Sequence, residues 1–329
     1  FRGRLLTHAD LSDVSGIRPH QGSVDPQADS GGQSHQLCCG EALSPALHLR
    51  TSDGDGTRFG RADGETTKPP PPTVQSANTT TVPQRRPQLN QETLLFDPAQ
   101  PDNDALRAVL AFPSTYSVGI TSLGYQIVWA TLAQRSDVDV RRLFTDQGDP
   151  LPRHCDLFGL SLSWELDGPV LPELLQNQNI PIWAENRGDD DPIVFGGGPV
   201  LTANPEPLAP FFDAVLLGDG ELLLGAFIDA LQQCRHAPRP ERLRRLAMVE
   251  GVYVPNLYIP RYDEAGTLLS VEPVDSDIPR LVEKQTWRGN TLSHSTVVTP
   301  DAAWPDIHMV EVVRSCPELC RFCLASYLT

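Results

Sequence analysis

The sequence predicts an α/β protein built on an open, doubly wound parallel sheet, and three observations predict it. From Ala105 onward, short apolar runs alternate with stretches of helical spacing, the pattern of a parallel sheet covered by helices. Two of those runs end in glycine-rich loops, Gly196-Gly197-Gly198-Pro199 and Gly218-Asp219-Gly220-Glu221. Hydrophobic residues make up 40% of the 329, which excludes a wholly disordered or fibrous chain.

Val109 to Phe112 reads as the first buried strand. Leu123, Ile127, Val128, Thr131 and Leu132 then recur at helical spacing, and Val138 to Leu143 reads as the second strand. Leu157 to Leu162 supplies a third, Leu171 to Leu175 lies in the next helix, and Ile193 to Phe195 and Ala214 to Leu217 are the fourth and fifth strands. Glu221 to Cys234 closes the set as a helix. In such a flavodoxin- or Rossmann-like domain, placed at residues 93–236, ligands sit beyond the carboxyl ends of the strands. Glycines at that end let backbone amides approach a ligand, and a helix amino end favours an anionic group. Gly196, Gly197 and Gly198 are therefore candidate ligand-loop residues; ending a strand is the plainer role of the same glycines.

Residues 237–305 read as a linker with a small β-hairpin. Pro238 to Pro240 precede a basic helix from Glu241 to Val249. Tyr253, Leu257, Ile259 and Tyr262, a turn at Asp263 to Gly266, and Leu268 to Val271 form the hairpin. Residues 275–306 are irregular, and Ile307 to Val313 reads as a β-branched strand opening the last segment, 306–329. At the other end, residues 1–92 are expected to be a disordered, non-native tail. Leu, Ile, Val and Phe make up only about 17% of the first 90 residues, and Pro69 to Pro72 stand in a row. A chain that opens at Phe1 is expected to be a fragment or a translation begun upstream of the true start.

The formal charge is −16, and its distribution matters more than its sum. The first 90 residues carry nine basic and nine acidic side chains, so from residue 91 on 17 bases face 33 acids. Such a body repels phosphate backbones, which makes nucleic acid a poor partner for this portion. No run approaches the eighteen or so uncharged apolar residues of a membrane span, and the first residues lack the regions of a secretory signal. A cytoplasmic protein without a membrane partner is expected.

Seven Cys do not spread like a disulfide framework. Cys38 and Cys39 are adjacent, Cys155 and Cys234 are solitary, and Cys316, Cys320 and Cys323 cluster as C-x3-C-x2-C with Phe322 before the last. Three thiolates on one short loop can ligate three irons of a cubane and leave the fourth iron open, whereas ordinary ferredoxin clusters and structural zinc sites use four ligands. His308, eight residues upstream, is a poor fourth partner.

This segment resembles the cluster loop of the radical S-adenosylmethionine (radical SAM) superfamily. The resemblance implies that Cys316, Cys320 and Cys323 hold a four-iron four-sulfur [4Fe-4S] cluster, that S-adenosylmethionine chelates the open iron, and that Phe322 lies near its adenine. Reductive cleavage would then give a 5′-deoxyadenosyl radical acting on an unknown substrate, with an electron from a partner such as flavodoxin or ferredoxin. In that family the loop follows the first strand of a β/α barrel, so the resemblance implies a truncated radical SAM barrel, inactive alone. The domain before it is similar to the cobalamin-binding-like domains of a large subgroup, through Phe195 to Pro199, Thr202 to Glu206 and Asp213 to Glu221. Pro113 to Gly119 and Gly251 to Pro255 look like a poorly characterised branch of that subgroup. Where classical cobalamin domains carry Asp-x-His-x-x-Gly, this chain has Pro113 to Gly119 and no His, which leaves cobalamin binding open.

Two other readings remain. One is a tRNA-modifying, methylthiotransferase-like radical enzyme, although two-cluster forms need three more Cys in the first domain. The other is a non-enzymatic nucleotide-binding module with a zinc knuckle. Lesser candidates each have a plain reading beside them. Asp189, Asp190 and Asp191 could hold a cation or form a solvated loop. His154 beside Cys155 could form a thiolate pair, yet neighbours on an extended chain face opposite ways. Trp164 and Glu165 could line a cofactor pocket or merely pack. Glu311 and Arg314 could orient S-adenosylmethionine or pair with one another.

Overall fold

The computed structural model describes residues 91–289, 292–326 and 328, all within one compact unit. The expectations for residues 1–90, Cys38 and Cys39 included, lie outside these. After β1 (Thr93–Leu94), a six-stranded sheet is formed by β2 (Leu106–Ala111), β3 (Val138–Leu143), β4 (Leu157–Ser161), β5 (Ile193–Gly197), β6 (Ala214–Leu216) and β7 (Val252–Tyr253). The spatial order is β3-β2-β4-β5-β6-β7. The first five pair in parallel and β7 lies antiparallel on the outside of β6. This is a mixed α/β architecture with a largely parallel central sheet.

The central strands are apolar because both their faces are covered. In β4 Leu157, Phe158 and Leu160 are buried, as are Ile193, Val194 and Phe195 in β5. β3 takes an edge and carries Asp139 and Arg141, partly exposed charged side chains of the kind that protect an edge. From β2 the chain moves outward to β3 and then returns past β2 to β4, β5 and β6. The direction of winding therefore reverses between β2 and β4, and a crevice opens at the carboxyl ends there.

Helices α1 (Tyr116–Thr121) and α2 (Leu123–Ala133) follow β2, α3 (Leu171–Asn177) follows β4, and α4 (Pro199–Ala203) follows β5. α5 (Gly220–Cys234) and α6 (Arg239–Ala247) follow β6. Right-handed crossovers put α2 on one face of such a sheet and α3 and α4 on the other; α5, which leads to the antiparallel β7, is placed by its packing on α2. α2 and α5 pack on each other, as do α5 and α6. Edge-on aromatic contacts join the layers, with Phe112 and Tyr125 centroids 5.5 Å apart. At the amino end of β6, the fully buried Asp213 carboxylate accepts from Arg187 at 2.9 Å, lies 2.7 Å from Arg239, and accepts from the backbone N–H of Val194. This ion set fixes the loops before β5 and after α5 onto the sheet.

Several elements differ from the sequence expectation. β2 begins at Leu106 rather than Val109, because Arg107 interrupts the apolar run and turns outward to pair with Asp156. The helix expected in a linker is α6, whose Leu243, Leu246 and Ala247 are buried, and β7 then joins the main sheet. The α/β layer thus runs to Tyr253, past the expected boundary at residue 236. The expected tail boundary at residue 92 also moves: Glu92 pairs with the buried Arg142 at 2.8 Å. The hairpin is present as β8 (Tyr258–Tyr262) and β9 (Leu268–Pro273), its turn held by the Asp263 carboxylate on the N–H groups of Ala265 and Thr267.

The expected strand from Ile307 to Val313 is not formed. The run makes one isolated bridge, Val310 to His294, and Ile307, Val310, Val312 and Val313 are exposed. β-branched composition favours a strand only where a neighbour and a buried face exist; here residues 293–295 pair with 309–311 alone, and the apolar side chains of the run stay exposed. Instead β10 (Val297–Val298) pairs antiparallel with β1 and returns the chain to the first helices.

Candidate functional site

A cleft of about 350 Å³ opens at the carboxyl ends of β2, β4, β5 and β6, where the topology reverses. Its floor is Leu110, Leu160, Phe195 and Leu216. Ile127 and Val128 of α2 and Leu224 of α5 form apolar walls, and Ser161, Ser163 and Thr202 contribute hydroxyls.

The three candidate glycines have three different roles. Gly196 does not line the cleft; it is buried, and a Cβ there would lie 2.5 Å from Leu201 and 2.6 Å from Phe212. Gly198 lines the cleft with φ 111°, and a Cβ there would meet the Leu162 carbonyl oxygen at 2.3 Å. Gly197 alone has room toward the cleft, the nearest atom to a Cβ being Leu216 Cβ at 3.8 Å.

In the second loop Gly218 has φ 115°, and a Cβ would lie 2.0 Å from the Gln285 carbonyl oxygen. Bare backbone here lets residues 285–287 run beside the end of β6. Gln285 N–H donates to Leu217 at 2.9 Å, and Trp287 N–H donates to the Asp219 carboxylate at 2.6 Å. Asp219 stands at the amino end of α5 without capping it.

The rim of the cleft is closed by Arg314, two residues before Cys316. Its guanidinium donates to both oxygens of Glu311 at 2.9 Å and to Glu221 at 2.7 Å, and lies 3.4 Å from Asp219. Hydrogen bonding to Glu311 raises the Arg314 pKa, against an opposing contribution from burial. The same bond holds the Glu311 carboxyl below its ordinary value. Ser293 completes the set, donating its hydroxyl to Glu221 and accepting from Arg314 at 3.0 Å. Glu311 and Arg314 therefore do pair with one another, and they also bind the cysteine-bearing segment to the glycine loop of the α/β domain.

A second anchor, which sequence reasoning missed, is Gln126 in α2. Buried at 2% exposure, its carbonyl oxygen accepts from the backbone N–H of Thr296 at 2.8 Å and of Val297 at 3.1 Å, while its amide donates to Ile120. Ser295 and Met309 then exchange hydrogen bonds, as do Ser293 and Glu311, which carries the chain up to Arg314. The available signal was an uncharged polar residue beside Ile127 and Val128 on an otherwise apolar helix.

Cys316, Cys320 and Cys323 are half-buried free thiols. The backbone turns through left-handed conformations at Ser315, φ 95°, and Leu319, φ 47°, and Cys323 N–H donates to the Cys320 carbonyl at 3.1 Å. Phe322 is 92% exposed. Among the described residues no three His, Cys, Asp or Glu side chains are grouped to hold a metal. The donor set still has the chemistry an iron–sulfur cluster needs: three thiols on one short, turning loop.

The lesser candidates settle elsewhere. Trp164 is exposed and Glu165 begins a short 3-10 helix; neither lines the cleft, where Ser161 and Ser163 stand instead. In the acidic run, Asp189 accepts from the backbone of Arg239 and Asp191 from Gly188, the contacts of a loop end. Burial pushes the Cys155 thiol up to about 11, with Asp156 adding to the shift. Cys234 is buried and donates to Ala230.

Residues 129–255 match the family described as "Radical SAM proteins, N-terminal". The match runs from within α2 through β7, ending two residues past the last strand of the main sheet, and contains both glycine loops. The chain is also similar to an uncharacterized protein of Methanocaldococcus jannaschii, 23% identical over 216 residues, covering 66% of this chain and 40% of that protein. The chain thus spans less than half the length of the curated relative it matches. No solved structure matches the chain. The family match supports a radical SAM superfamily member, and members of that superfamily in general use a four-iron four-sulfur cluster and S-adenosylmethionine. No helix among the described residues is long and apolar enough to cross a membrane.

Proposed function

We propose that this chain carries the cluster loop and the adjoining α/β domain of a radical SAM enzyme, with Cys316, Cys320 and Cys323 as the three cluster ligands and Phe322 beside the adenine of S-adenosylmethionine. When bound, such a cluster supplies the electron that cleaves S-adenosylmethionine to a 5′-deoxyadenosyl radical. The observation that carries this reading is the placement of the three thiols. They follow directly on a segment that Arg314 and Gln126 tie to the rim of a ligand-sized cleft, in a domain matching the N-terminal radical SAM family.

The chain's own residues give each part a task. Glu311, Glu221 and Asp219 hold Arg314, so the strap entering the cysteine loop is fixed while the loop stays open to solvent and to a redox partner such as flavodoxin or ferredoxin. Cys155 and Cys234, the other thiols among the described residues, are too few and too far apart in sequence to form a second three-cysteine loop. That favours a single-cluster enzyme over a methylthiotransferase-like one. Cobalamin has no imidazole to meet in the cleft among the described residues, since no His of theirs lines it. In the full-length protein, Cys320→Ala should abolish 5′-deoxyadenosine formation under reducing, anaerobic conditions; formation at the wild-type rate would refute the assignment.

A further inference from the structure

We propose that the cleft at the carboxyl ends of β2, β4, β5 and β6 binds the substrate. It would be a compact molecule with a predominantly apolar body and a neutral or cationic polar end, and not a phosphorylated or carboxylated one. That this ligand is a substrate rests on the radical enzyme reading above; that the cleft selects such a ligand does not.

Size and lining come first. A cleft of about 350 Å³ is at the small end of the range for small-molecule sites, which are typically apolar with a few polar groups that orient the ligand. Leu110, Leu160, Phe195, Leu216 and Leu224 would cover the body of such a ligand, and the free space beside Gly197 lets it approach the backbone. Ser161 and Ser163 are the hydroxyls at hand to orient a neutral polar end.

Charge then decides the class. A helix amino end beside a glycine loop ordinarily suggests an anion site. Here Asp219 and Glu221 already occupy the first turn of α5, and the rim holds three carboxylates, with Glu311, against the single guanidinium of Arg314. Every nitrogen of that guanidinium faces a carboxylate, and among the described residues no Lys, His or second Arg lines the cleft. An anionic ligand would meet net negative charge, because Lys284, the Lys beside the rim, already faces Asp219 and donates to the Leu328 carbonyl; an amine or alcohol would not. Position supplies the remaining link. Arg314 lines the cleft and stands two residues before Cys316, so a molecule held there lies along the segment that carries the thiols.

The test uses three probes with one apolar body and different heads: naphthylmethylamine, naphthylmethanol and naphthoate, titrated by naphthyl fluorescence against the full-length protein. The amine and the alcohol should bind at least about ten-fold more tightly than the carboxylate, a difference of about 1.4 kcal/mol. Gly197→Leu, which fills the open side of the cleft, should weaken amine and alcohol binding at least about ten-fold with Tm unchanged. Should that variant fold poorly, Val128→Phe plugs the cleft from the helix side and carries the same expectation. Equal or tighter naphthoate binding, no binding of any probe, or unchanged binding in a folded plugged variant would overturn the proposal. Cys320→Ala, which removes a proposed cluster ligand outside the cleft, should keep probe binding while losing iron, so the two readings fail separately.

Discussion

At the scale of single residues, the loop after β5 shows why adjacent identical residues need not share a purpose. Gly198 is required by its own backbone and by the Leu162 carbonyl, Gly196 by Leu201 and Phe212, and Gly197 by neither. Gly198→Ala should therefore lower stability to urea unfolding by about 1–3 kcal/mol, the range for a residue forced into a glycine-only conformation. Gly197→Ala should leave stability nearly unchanged. Titration offers a second residue-scale test. The Cys155 thiol is raised from an ordinary 9.0 to about 11, so the folded state holds this proton more tightly than the unfolded state does. The resulting stabilisation is full below pH 9 and is lost as pH rises through about 11. Cys155→Ala should flatten the fall in stability over that window; an unchanged slope would show that other groups govern it.

At the scale of elements, the sheet strands were legible because parallel strands buried on both faces are short uninterrupted apolar runs. Val138 to Leu143 was read to the residue, and β4, β5 and β6 to within two. Where a charge interrupts the run, as Arg107 does in β2, the sequence signal is lost although the strand continues. The segment from Ile307 to Val313 failed in the opposite direction: its residues suit a strand, but pairing depends on neighbours that local composition cannot reveal. The anchoring of residues 293–299 was hidden for a related reason, since Gln126 reaches residues about 170 positions away. Gln126→Leu leaves the N–H groups of Thr296 and Val297 without their acceptor, at about 1–3 kcal/mol for each buried donor. Amide exchange at those two positions should rise by orders of magnitude while β4 and β5 stay protected. Unchanged protection would mean that β1 alone holds the segment.

At the scale of the whole molecule, folding brings together two features that are nearly 100 residues apart in sequence. One is a cleft whose position follows from strand order; the other is a three-cysteine loop whose chemistry follows from spacing. The thiols were legible because ligand spacing is local. Their attachment was not, because Arg314 reaches Asp219 and Glu221 only after the chain has folded back across α2. The central claim is that Cys316, Cys320 and Cys323 hold an iron–sulfur cluster with one iron left open. Iron and acid-labile sulfide analysis of the full-length protein after anaerobic reconstitution tests it most directly. The account predicts about four irons and four sulfides per chain, falling sharply in Cys316→Ala. A single bound zinc ion without labile sulfide, or no metal under strict exclusion of oxygen, would contradict it.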